Sequence, residues 1–364
     1  MYEPLALMAL LNAKHIGPRT ARILLAHYQT AAEVFRHKNK KKPNLPGVGP
    51  VVWEALRAPA IHHAAEQEWA RMEKNNLLFL DFRDPKFPQL LNHCPDGPLM
   101  LFYSGTAIPN SKRILAIVGT RTASEDSKRF TQNLIAQLQP YHPIIVSGLA
   151  HGIDICAHRA ALDVGLKTYA CLAHGIQHCY PTYHSKTRKR METEGGGCLT
   201  EYWSNTAIQR GHFLGRNRII AGLAQATLVI ASGCRGGAMS TARYARDYNR
   251  EVFAVPGGPY ESSQAGCNLL IKSHVAQLAD SPQDIVQSLG WEKVGEEIPR
   301  QAVLFTSDDP EQQKILDQLK NGPELLDLIA IHTGIPVSKT ATLLFELEMM
   351  GAVRPMAGKK FGLA

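Results

Sequence analysis

Six short, almost uninterrupted apolar runs constrain this chain most: "ILAIV" (114–118), "PIIVS" (143–147), "TYACL" (168–172), "CLT" (198–200), "TLVIA" (227–231) and "EVFAV" (251–255). Runs of this length with so few polar residues read as strands covered on both faces. Helix-like segments separate them, and strands alternating with helices build a doubly wound, mostly parallel α/β sheet. In such sheets ligands collect at the carboxyl ends of the strands, where loops enter helices and unpaired N–H groups face an anion.

The loops at those ends share one character. "GTRTAS" follows the first run, "SGLAHGID" the second, "SGCRGGAMSTA" the fifth and "PGGPYESSQAGCN" the sixth. Glycine lets backbone approach a ligand closely, and Ser, Thr and N–H groups bind phosphate oxygens without a counter-charge. Arg121 and Arg235 add full positive charge. Arg216 and Arg218, in "HFLGRNRIIAGLA" (212–224), are expected in a short turn ahead of the fifth strand, with Phe213 as an aromatic lead-in and no acidic neighbour. No G-x-G-x-x-G, Walker-type, H-E-x-x-H or G-x-S-x-G motif occurs, so the edge is equipped to hold phosphate more than to break bonds. His151, Asp154 and His158 in "HGIDICAH" lie at helical spacing. Helix capping by Asp154 is the favoured reading of that cluster over a metal site, and no metal or other cofactor is expected.

A formal net charge of +8 over 364 residues turns the molecule toward anionic partners. No apolar run is long enough to span a bilayer, the start lacks a signal peptide's pattern, and a cytoplasmic protein is expected. The seven cysteines are scattered without a C-x-x-C pair, which argues against disulfides and zinc. Residues 1–75 read as a helical domain in which Gly47-Val48-Gly49 resembles a helix-hairpin-helix or SAM-like turn, preceded by the basic run "RHKNKKK" (36–42). Residues 76–290 form the α/β domain, 291–307 a linker, and 308–364 three helices and a hairpin in winged-helix order. The third of those helices carries one basic residue, Lys339, beside Glu346 and Glu348, so it reads as poorly suited to a duplex.

The ordered series "IVGTRTAS", "IIVSGLAHGIDICAHRAAL", "GIQHCYPTYH", "TEYWSNT", "HFLGRNRIIAGLA", "GGAMSTARYA" and "REVFAVPGGPYESSQAGCNLLI" resembles the bacterial DNA-processing protein DprA (Smf) family over most of residues 80–290. The resemblance implies a Rossmann-like domain flanked by a SAM-like domain and a winged helix. It also implies a non-enzymatic protein of natural transformation, which binds incoming single-stranded DNA, protects it, and loads RecA onto it in place of single-strand binding protein. Carried onto this chain, the DNA-binding residues are Gly119 and Arg121 in the first loop and Ser147 with Gly148 as a phosphate pocket. Phe213, Arg216, Asn217 and Arg218 join them, as do Arg235, Asn268 and, in "HSKTRKRM", Lys186. A homodimer surface near the last strand points to Leu270, Ile271 and Leu278. Departures stand at Gln177 and His178, where relatives have a Gly- and Asp-containing loop, and at Ala231, where they have an acid. The competing reading is an enzyme that cleaves nucleoside monophosphates, of the lysine-decarboxylase-like kind, prompted by Pro256-Gly257-Gly258.

Overall fold

The computed structural model describes residues 2–294, 307, 309–320, 322–356 and 360–363. They fall into two units, 1–294 and 295–364. The first opens with five helices, α1 (Glu3–Asn12), α2 (Pro18–Tyr28), α3 (Ala31–His37), α4 (Pro50–Ala55) and α5 (Ala60–Lys74). After them come β1 (Leu78–Asp81), the short α6 (Gln89–Asn92) and β2 (Met100–Gly105). The alternating series then runs β3 (Ile114–Val118), α7 (Glu125–Leu138), β4 (Ile144–Ser147), α8 (Ile153–Asp163), β5 (Thr168–Cys171), α9 (Ser185–Thr193), β6 (Gly197–Thr200) and α10 (Arg210–Leu223). It closes with β7 (Ala226–Val229), α11 (Gly237–Asp247), β8 (Glu251–Ala254), α12 (Ala265–Lys272), β9 (Gln277–Leu278) and α13 (Pro282–Leu289).

The nine strands lie in the order β1-β2-β6-β5-β4-β3-β7-β8-β9. All six expected strands are present, and every pairing from β6 to β9 is parallel. Period-two alternation sorts the two faces. In β3, Ile114, Ala116 and Val118 point toward α10, α11 and α12, while Leu115 and Ile117 point toward α7, α8 and α13. The chain winds outward from β3 in both directions, so the loops after β3 and β7 diverge and leave a crevice between them.

Beyond the six expected strands, the sheet takes in two more ahead of them: β1 pairs antiparallel with β2, and β2 antiparallel with β6. Their apolar runs serve two cores at once: Leu101 and Tyr103 pack on the sheet side, while Leu99, Met100 and Phe102 pack with α1–α5. The helical region and the sheet therefore form one compact unit rather than a detached domain and its neighbour. The expected linker begins later than 291, because Trp291 is buried in the sheet core and the Val294 N–H donates to the Pro140 carbonyl at 2.9 Å. Residues 295–306 lie outside the described residues. Ahead of α4, Gly47 takes φ 75°, and Lys42 donates to the Val48 and Pro43 carbonyls, so that lysine of the basic run is spent on the turn itself.

In the second unit, α14 (Pro310–Leu319), β10 (Glu324–Leu325), α15 (Leu326–Thr333), α16 (Val337–Met349), β11 (Val353–Met356) and β12 (Lys360–Leu363) form three helices and a three-stranded antiparallel sheet, a winged helix. Lys339 on α16 pairs with Glu311. Among the described residues, no single helix is long and apolar enough to cross a membrane.

Candidate nucleic-acid interface

A cleft of about 320 Å³ occupies the crevice between the loops after β3 and β7. Its walls are Gly119 to Arg121, the first turn of α11 at Gly236 to Ala238, and Phe213, Arg216 and Asn217 of α10. The start of α11 brings backbone N–H groups to this wall, where a helix favours an anion. Gly119 leaves no space for a side chain, since a Cβ there would lie 2.5 Å from Ile153 Cγ1. At the mouth, the exposed Arg121 guanidinium stands 5.5 Å from the centroid of the Phe213 ring. The edge of Tyr180 meets the same ring at 5.8 Å.

The two arginines of "GRNR" were expected in a turn, free for an anion; both instead lie within α10, and each has an internal task. Arg216 is buried, and its Nη1 donates to the carbonyls of Gly148 at 2.8 Å and Cys171 at 2.5 Å. Burial pulls its guanidinium below the usual arginine range while Asp154 opposes that shift. It stays charged all the same, because arginine does not lose its proton in proteins. Arg218 points away from the cleft and donates to Glu201 Oε2 at 2.5 Å. Asn217 donates to Ser240 Oγ at 2.9 Å and to the Gly237 carbonyl, tying α10 to α11.

Ser147 and Gly148, expected to form a phosphate pocket, are likewise engaged within the chain. Ser147 is fully buried, its Oγ donating to the Ile117 carbonyl at 2.6 Å. The Gly148 N–H, with that of Ala150, is taken by Asp154 Oδ2 at 3.1 and 3.4 Å. The loop amides expected to hold a phosphate thus already hold a carboxylate of this chain. Burial raises the Asp154 carboxyl above its ordinary range, and Arg216 and these amide donors pull the other way. Asn268 closes on its own loop, exchanging hydrogen bonds with the Gly257 N–H and C=O at 3.1 and 3.0 Å. Arg235 is exposed on the loop after β7, and Lys186 is exposed on α9.

The His151, Asp154 and His158 cluster does not converge. Asp154 caps the loop, the buried His158 has its Nδ1 2.7 Å from Thr168 Oγ1, and His151 lies outside against Tyr183. Among the described residues no group of three His, Cys, Asp or Glu side chains is placed to hold a metal ion.

Two residues near Phe213 escape a reading of the loops alone. Arg210 is exposed at the start of α10, one turn before Phe213, and Tyr180 reaches Phe213 from a different connection. The helical spacing of Arg210 and Phe213 was available in the sequence; the approach of Tyr180 was not.

The family described as "DNA recombination-mediator protein A" matches residues 78–290, and that described as "DprA winged helix domain" matches 301–359. The chain belongs to the DprA family. A putative DNA processing protein DprA of Mycobacterium tuberculosis is 36% identical over 270 residues, 73% of this chain and 69% of the relative. Among solved structures, this DprA-family chain resembles DNA processing protein A of Streptococcus pneumoniae with a TM-score of 0.61 at 27% identity, over 78% of this chain and 96% of that one. It also resembles DNA processing protein A of Helicobacter pylori, a structure described for its single-stranded DNA binding mode, with a TM-score of 0.53 at 28% identity over 59% of this chain and 97% of that one.

Proposed function

We propose that this protein binds single-stranded DNA along the cleft, protects it, and loads RecA onto it during natural transformation, displacing single-strand binding protein. The reading places the work in the cytoplasm. The observation that carries it is the pairing of Arg121 with the Phe213 face at the mouth of a glycine-walled cleft. A guanidinium serves a backbone phosphate, an aromatic ring accepts any base, and together they suit a strand regardless of sequence. Arg235 is exposed on the loop between the cleft residues Gly233 and Gly236 and adds positive charge beside it. The Helicobacter pylori relative's description as a single-stranded DNA binder supports the same reading.

The molecule is proposed to act as a homodimer through the sheet edge. Leu278 on β9 and Leu269 on α12 are exposed there, at 46% and 47%, and Ile271 is half-buried. Leu270, expected on that surface, is 4% exposed and belongs to the core. Fluorescence anisotropy with labelled single strands, unlabelled duplex as competitor, tests DNA binding, and RecA filament assembly on coated strands tests the loading. Binding only to duplex, or none, overturns the reading.

Asp154 favours the second reading, nucleotide cleavage, because it puts a buried carboxyl on the cleft wall. Its Oδ2 is occupied by two backbone N–H groups, which suits a structural anchor better than a general base. Release of base from nucleoside monophosphates would decide for catalysis.

A further inference from the structure

Behind the cleft lies a second hollow of about 370 Å³, on the far side of the loop that joins β4 to α8. The two share that loop as a wall: Ala150 lines the cleft, while His151 and Gly152 line the hollow. The wall is thin by construction. Gly152 takes φ 72°, and a Cβ there would lie 2.2 Å from the Thr120 carbonyl, so a bulkier residue has no place in it.

The hollow is lined by Tyr183, His151, His184, Arg159 and Lys128, with no carboxylate among its lining residues, though Lys128 is paired with Glu125 Oε1 at 2.7 Å. Tyr183 is 58% exposed, its ring 4.9 Å from that of His151, which in turn sits 5.3 Å from His184. Arg159 is exposed with its Nε on Thr187 Oγ1 at 3.3 Å, and Lys186 stands exposed one helical step beyond Tyr183. An exposed phenol ring backed by imidazoles and rimmed by cations has the two parts that a nucleotide needs: a flat face for the base and a positive edge for the phosphate.

Continuity with the cleft comes from the segment 180–183. Its first residue, Tyr180, is 43% exposed and touches Phe213 at the cleft mouth; its last, Tyr183, lines the hollow. A strand leaving Phe213 therefore meets two further aromatic faces and then a basic rim.

We infer that this hollow is a second nucleotide subsite, which stacks a base of the same single strand on Tyr183 and holds its phosphate with Arg159 and Lys186. The inference rests on the single-strand reading of the cleft. It makes the binding track longer than the cleft and predicts that affinity grows in steps with strand length.

The test uses the full chain and oligothymidylates from about 4 to about 20 nucleotides, a span that brackets common single-strand site sizes. Tyr183→Ala is expected to weaken binding of the long strand by about 5- to 150-fold, the loss of one base–aromatic stack, and to leave the shortest strand that binds unaffected. Tyr183→Phe keeps the ring and should bind as the parent does. Unfolding temperatures equal to the parent's show that the variants are folded. Unchanged long-strand affinity in Tyr183→Ala overturns the subsite, as does an equal loss for short and long strands. A parent that binds no strand of any length overturns the cleft reading and the subsite with it, a result separate from either.

Discussion

Arg121 and Arg216 carry the same charge yet do different work, and burial is what separates them. Arg121 is exposed over Phe213, so its interaction with a strand is electrostatic and screened by salt. Arg121→Ala is expected to weaken binding to single strands and to lower the slope of log affinity against log salt by about one, as loss of one phosphate contact does. Arg216 fixes two carbonyls and faces Asp154. Arg216→Ala leaves a buried carboxylate without its counter-charge, which costs about 3 kcal/mol or more of stability. Thermal unfolding should show that loss, and the salt slope of whatever binding survives should match the parent's. Measured together, the two variants separate a residue that touches DNA from one that shapes the place where DNA sits. Both arginines were legible in the sequence as functional; which of them is free was not, because the answer depends on carbonyls 68 and 45 residues away.

Among the elements, the decisive contact is α10 crossing the start of the loop after β4. A Cβ on Gly148 would lie 2.4 Å from Arg216 Nη1 and 2.6 Å from its Cζ, so glycine is required there by the guanidinium and not by a ligand. Gly148→Ala should destabilise the fold by about 1–3 kcal/mol, the usual cost of overpacking, and shift the loop that divides the cleft from the hollow. Chemical denaturation measures the first effect and oligonucleotide affinity the second. A Ser-Gly pair in such a loop looks like a phosphate cradle because the same small residues serve any close approach. Here the approaching group is internal. By contrast α7 is set by local sequence: Ser124 accepts the Ser127 N–H at 3.2 Å, and Glu125 and Asp126 fill the first turn. Ser124→Ala should cost about 1 kcal/mol by the same denaturation.

At the scale of the whole molecule, three histidines buried beside the sheet, His158, His174 and His184, tie its stability to pH. Burial, with His184 and Arg216 adding to it, pushes His158 down to about 3, and burial lowers His174 and His184 too. An unfolded chain takes up these protons near pH 6.5 while the folded one does not, so stability is complete above about 6.5 and falls as the pH drops toward 3. The unfolding temperature should fall over that window, and His158→Gln should make the fall shallower. The proposed dimer has its own test at this scale: Leu278→Lys places a charge on the edge strand and should shift sedimentation toward the monomer. The sequence by itself determined the six parallel strands, the loops that carry the site, the winged helix and the family. Each of these is written in residues close together in the chain, through period, turn chemistry and motif order. Only the tertiary structure decided that β1 and β2 join the sheet, that Asp154 and Arg216 engage the backbone of the Ser147-Gly148 loop, and that Arg218 belongs to Glu201. Those outcomes depend on desolvation and on which distant groups meet, and a buried charge takes whatever partner the fold brings to it before it can wait for a ligand.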